Sequence, residues 1–97
     1  MYGAPVGDTR VTAAAELYTA GKPVRLFNVH IISDGTAGVT TFYNGGAGGT
    51  AYIKVTGTIN TGATTDFGIN GKLFPSGCYV SPTANALSTL CSWIAEL

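Results

Sequence analysis

The sequence predicts an all-β protein, a compact, jelly-roll-like β-sandwich of about 7–9 short antiparallel strands. Three observations predict it. Turn signals recur about every 8–12 residues between short apolar stretches. No stretch sustains the 3.6-residue period of an amphipathic helix. The composition is rich in turn and strand formers, with 14 Gly and 14 Thr among 97 residues. Residues 1–10 read as an irregular N-terminal arm and residues 11–97 as a single sandwich domain.

Along the chain, Gly3, Pro5, Gly7 and Asp8 mark the arm, whose apolar residues are Met1, Tyr2 and Val6. Val11 to Ala20 is ambiguous, since Ala13-Ala14-Ala15-Glu16-Leu17 suits a helix start, but it reads as a strand because everything that follows is β, and Gly21 and Pro23 stop it. Val24 to Ser33 is the strongest element and is expected at the centre of a sheet. The two-residue period sets Phe27, Val29 and Ile31 on one face and Leu26, Asn28, His30 and Ile32 on the other. Asp34-Gly35 is a tight-turn dipeptide. Val39 to Tyr43, the glycine-rich segment 44–49 and Thr50 to Thr56 read as strand, turn and strand, a hairpin. In its second strand Ala51, Ile53 and Val55 share one face, while Tyr52 and Lys54 share the other.

Gly57 to Thr65 reads as a loop or weak edge strand. Asp66 to Ile69 reads as a brief strand with Phe67 and Ile69 pointing one way, ended by Asn70-Gly71. Lys72 to Phe74 and Cys78 to Val80 are short strands separated by the Pro75–Gly77 turn. Pro82 to Asn85 turns, and Ala86 to Leu97 closes the chain. There Leu90, Ser92 and Ile94 oppose Thr89, Cys91, Trp93 and Ala95.

Charge is scarce. Charged residues make up 10% of the chain and sum to zero, against roughly 25% in an average soluble domain. Such a surface favours association with other protein. Arg10, Lys22, Arg25, Lys54 and Lys72 are scattered, which argues against a nucleic-acid partner. No apolar run approaches the ~20 residues of a membrane-spanning helix. The start lacks the basic and apolar regions of a signal peptide, so the expectation is a protein made in the cytoplasm and used without secretion. Cys78 and Cys91 are then expected as reduced, buried thiols.

Catalytic and cofactor readings find no support. Thr50-Ala51-Tyr52 follows the glycine-rich segment, so no phosphate loop is formed. His30 is the single histidine and sits mid-strand, where packing is its expected role. Asp8, Glu16, Asp34, Asp66 and Glu96 each have a turn or capping explanation or stand alone. The expectation is no enzyme, no cofactor and no metal.

The aromatic set Tyr18, Tyr43, Tyr52, Tyr79 and Trp93 suits packing, a protein interface or a sugar-binding cleft. Tyr52 is the best exposed candidate among them. Candidate interface residues are therefore Met1, Tyr2, Val6, Tyr52, Trp93, Ile94 and Leu97, because both ends are apolar and fall outside the sandwich pattern. A last core strand is the equal alternative for Trp93 and Ile94.

Four segments carry a resemblance. They are Val-Arg-Leu-Phe-Asn-Val-His-Ile at 24–31, Ser-Asp-Gly-Thr-Ala-Gly at 33–38, Thr-Phe-Tyr-Asn-Gly at 41–45 and Asp-Phe-Gly-Ile-Asn-Gly-Lys-Leu-Phe-Pro-Ser-Gly-Cys-Tyr-Val at 66–80. Between Pro23 and Val80 the chain resembles small virion proteins of tailed bacteriophages, notably phages of cyanobacteria and other marine bacteria. The first 20 and last 12 residues match no such pattern. The resemblance implies a capsid decoration, or cement, subunit that binds the major capsid protein, copies of itself, or both, with a trimer as one form. It also admits a small tail, neck or fibre component, but a small, single-domain, poorly charged chain favours the capsid surface of the virion. A carbohydrate-binding module is a further alternative.

Overall fold

The computed structural model describes residues 6–58 and 62–96. Nine strands form among them: β1 (Val6–Val11), β2 (Ala15–Glu16), β3 (Val24–Ser33), β4 (Val39–Asn44), β5 (Thr50–Thr56), β6 (Gly62–Asp66), β7 (Lys72–Phe74), β8 (Cys78–Pro82) and β9 (Ala86–Ala95). They build two antiparallel sheets. Sheet A runs β1-β9-β3-β6, with β7 also paired to β3, and sheet B runs β2-β8-β4-β5. With β7 set aside, two four-stranded sheets remain, β1-β9-β3-β6 and β2-β8-β4-β5, and the last strand returns beside the first. This is the jelly-roll arrangement, and the expected fold class holds. The smallest extent is 17 Å, as two packed sheets about 10 Å apart require once outward side chains are added.

The core lies between the sheets. Sheet A sends in Val24, Leu26, Val29, Ile31, Phe74 and Cys91, and sheet B sends in Phe42, Val80 and Cys78, all essentially without solvent contact. Each buried Val, Leu, Ile or Phe side chain contributes roughly 1.5–3 kcal/mol against exposure. Thr40 of β4 and Thr89 of β9 are also fully buried, and their hydroxyls hydrogen-bond at 2.8 Å across the sandwich. Cys78 and Cys91 are free, buried thiols, as expected.

Several expected elements shift. Residues 6–10 are not an irregular arm. They open β1, which pairs with β9 from Val6 opposite Ile94 to Val11 opposite Thr89. The pairing needs Gly7. A Cβ there would stand 2.5 Å from the Trp93 ring, which lies across the strand. Of the expected strand Val11 to Ala20, Val11 ends β1 and Ala15–Glu16 forms β2, while the rest is bends and turns. In β3 the register slips between Leu26 and Asn28. The bulge at Phe27 breaks the two-residue alternation, so Leu26 points inward with Val29 and Ile31 while Phe27 is only half-buried. A second slip between Phe42 and Tyr43 bulges β5 at Tyr52. Asp66 ends β6, and Phe67 to Asn70 forms a turn rather than a strand.

The turns are tied down. Asp34 accepts the Thr36 amide at 2.9 Å and takes both bonds of the Asn85 side-chain amide at 3.2 Å. The β4–β5 hairpin closes with the Gly49 amide on the Gly46 carbonyl at 2.9 Å, with Gly45 and Gly46 at positive φ.

Candidate interaction surface

The outer face of sheet A is built by strand register. Alternation from the buried residues turns Arg25, Asn28, His30 and Ile32 of β3 outward, with Leu90, Ser92 and Ile94 of β9. Four cross-strand rows result. At one end Ile94, Arg25 and Leu73 stand side by side, with the Val6 position in register opposite Ile94. Asp8, Ser92, Asn28 and Asp66 form the next row, followed by Arg10, Leu90, His30 and Thr64. Ser88, Ile32 and Gly62 form the last.

Hydrogen bonds fix the polar rows. Ser92 Oγ donates to Asp8 Oδ1 at 2.7 Å, and Arg10 Nη1 donates to Ser88 Oγ at 3.0 Å. His30 Nδ1 and Thr64 Oγ1 share a bond of 2.7 Å. The His30 ring lies over Gly62, where a Cβ would meet Nε2 at 2.3 Å. His30 is therefore held as a surface packing group, as the sequence suggests.

The end row is apolar apart from Arg25, and Arg25 is occupied. Its Nη2 pairs with Glu96 Oε1 at 3.1 Å, and its Nη1 donates to the Asn70 carbonyl at 2.9 Å. The second bond clamps the β6–β7 turn onto the sheet. Asp66 Oδ1 accepts the Gly68 amide at 2.9 Å, and the Gly71 amide reaches the Gly68 carbonyl at 3.2 Å. This fixed turn presents Ile69 to solvent with 93% of its surface exposed. Leu73 beside Arg25 is also exposed, as are Ile32 and Leu87 towards the other end of the face. Of the large exposed apolar side chains among the described residues, only Tyr52 lies off sheet A and its turns.

No family model and no curated protein matches the sequence, and no solved structure matches the chain.

The candidate residues separate. Ile94 lies on the outer row, half-buried, and Val6 stands opposite it in register. Trp93 does not join them. It is a core residue of β9 with 7% exposure. Its Nε1 donates to Thr9 Oγ1 at 2.9 Å, and its ring packs 5.7 Å from that of Tyr18. The expectation that Trp93 and Ile94 fall outside the sandwich is corrected, because β9 lies inside sheet A between β1 and β3. Tyr52 does not stand with Lys54 on the outer face of sheet B. Its bulge tips the ring to 5.4 Å from Phe74, and Lys72 Nζ covers it at 5.0 Å from the ring centre. It seals the seam between β5 and β7. Met1, Tyr2 and Leu97 lie outside the described residues.

Ile69, Leu73, Ile32 and Leu87 were not singled out from the sequence. One signal was present, since Ile69 sits between Gly68 and the Asn70-Gly71 turn dipeptide, where an apolar residue has no strand to bury it. The outer face of sheet B is different in kind. Tyr43 and Tyr79 meet edge to face, with centroids 6.4 Å apart, beside Thr41 and Ser81.

Both thiols lie in the apolar interior. Burial pushes the Cys91 thiol up to about 12. Burial, then the neighbouring Cys91 and Glu16, pushes Cys78 up still further. Such thiols stay protonated and are poor nucleophiles and metal ligands.

Proposed function

We propose that the chain is a structural subunit of a virus particle, a capsid decoration protein that stabilises the head by non-covalent binding to the capsid lattice. The observation that carries this reading is the exposed Ile69 on its clamped turn, with Leu73 exposed in the end row of sheet A. An isoleucine 93% exposed on a clamped turn gains no burial free energy in the free chain and gains it when another surface covers it. The jelly roll supports the reading by analogy alone, because virus capsid proteins and lectins both use it. The scarcity of charge supports it too. Specific contacts bury about 800 Å² on each partner, and ordering costs offset most of that gain. A subunit present in many copies therefore needs only a small net contribution from each.

Copy number in particles purified from the virus that encodes the chain tests the proposal. Hundreds of copies per particle are expected, with loss of binding to undecorated heads in the Ile69→Asp, Leu73→Asp double variant. About six to twelve copies would place the chain in a tail or neck ring instead. Absence from the particle would end the virion reading.

A further inference from the structure

Strand β1 is an open edge of sheet A, paired among the described residues with β9 alone. Open edges invite pairing with another chain, and charges on them usually discourage it. The charges on β1 are of opposite sign and two residues apart. Asp8 and Arg10 are both exposed, on the same face of the strand, and flank Thr9. Each is held in place on that face, Asp8 by Ser92 and Arg10 by Ser88.

This spacing has a self-complementary solution. A second copy running antiparallel about a two-fold axis through Thr9 sets Asp8 opposite Arg10 of the partner subunit, and Arg10 opposite the partner's Asp8. Both pairs form at once, because a two-fold interface repeats every contact. The adjacent registers fail. An axis through Asp8 or Arg10 sets like charge against like, which destabilises a cross-strand pair. An axis between two residues would oppose an outward side chain to an inward one, against the pleat. The remaining open edges lack this match. Lys54 is the single charge of β5, which is also bulged at Tyr52. Asp66 is the single charge of β6, and β2 has two residues.

We propose that the protein forms a two-fold dimer in which β1 pairs with β1 of a second copy about Thr9. The two copies of the path β6-β3-β9-β1 then join into one continuous sheet. The outer faces become coplanar, and the two apolar end rows lie on the same side of the assembly. The dimer stands apart from the particle reading, since it forms in solution without a capsid.

Sedimentation equilibrium of the full chain tests it, with a circular dichroism melt of every variant to confirm folding. The wild type is expected as a dimer. Asp8→Arg and Arg10→Asp each place like charges across the axis and raise the dimer Kd roughly tenfold or more. The Asp8→Arg, Arg10→Asp double variant restores the opposite pairs and the dimer. A monomeric or trimeric wild type overturns the proposal, as do single reversals without effect or a double variant that stays monomeric. Should a variant fail to fold, the wild type still decides. Its Kd must rise between about 50 mM and 500 mM salt, where exposed ion pairs are screened, and a salt-independent Kd overturns the proposal.

Discussion

At the residue scale, the sandwich depends on a few polar atoms placed where water does not reach. Thr40 and Thr89 satisfy one another between the sheets at 2.8 Å. Replacing one with Val leaves the other hydroxyl buried and unpaired, a cost of about 1–3 kcal/mol. Replacing both removes the need for the bond. Thr40→Val and Thr89→Val should therefore each lower stability in urea unfolding, while the double variant loses less than their sum. The thiols act differently. Their ionisation is suppressed in the folded protein, from an ordinary 9.0 to about 12 for Cys91. Below the ordinary value both folded and unfolded chains hold the proton, and the thiols leave stability unchanged. Above it the unfolded chain releases protons that the folded one keeps, so stability falls as pH rises from about 9 to about 12. The slope is at most roughly 1.4 kcal/mol per pH unit for each thiol. Urea unfolding across that range should show a decline that is shallower in a Cys78→Ala, Cys91→Ala variant. A decline of equal steepness in both proteins would mean that the thiols are not its source.

At the element scale, what was legible and what was not divide along the backbone hydrogen-bond ladder. The existence of β3, β4, β5, β8 and β9 follows from alternation and turn dipeptides, which are local properties. The inward set Thr89, Cys91, Trp93 and Ala95 was readable because β9 keeps its alternation over those residues. The phase of β3 was not, because a bulge is decided by the partner strand. Phe27 carries no mark that distinguishes it from Val29 until β9 is beside it. Tyr52 was misplaced for the same reason, because it is the extra residue of the bulge in β5. Strand β1 was hidden by composition. Gly7 and Asp8 read as turn residues, yet Gly7 is there so that Trp93, 86 positions later, can lie across the strand. The interaction surface was legible only in part. Ile94 followed from its apolar setting near the chain end, whereas Leu73 and Ile69 become surface groups only through the pairing of β7 with β3 and the clamp from Arg25.

At the scale of the whole molecule, the jelly roll closes by bringing its first described strand against its last. β1 and β9 pair over six residues, and β9 in turn carries β3. An N-terminal arm would be dispensable to the fold, but an edge strand of this kind is not. Removing residues 1–11 takes away Val11, a core residue at 4% exposure, and the hydroxyl that accepts the Trp93 indole. It also uncovers the Trp93 ring and strips one side of the β9 ladder. Losing the Val11 burial alone costs roughly 1.5–3 kcal/mol, and the lost indole hydrogen bond adds about 0.5–1.5 kcal/mol. Together these are a large fraction of the 5–15 kcal/mol that holds a small domain. The truncated chain should therefore lose its cooperative thermal transition, or melt far below the full chain, with Trp93 fluorescence moved towards that of exposed indole. A truncated chain that melts as the full one does would return residues 6–11 to the status of an arm, and would remove the strand on which the two-fold dimer depends.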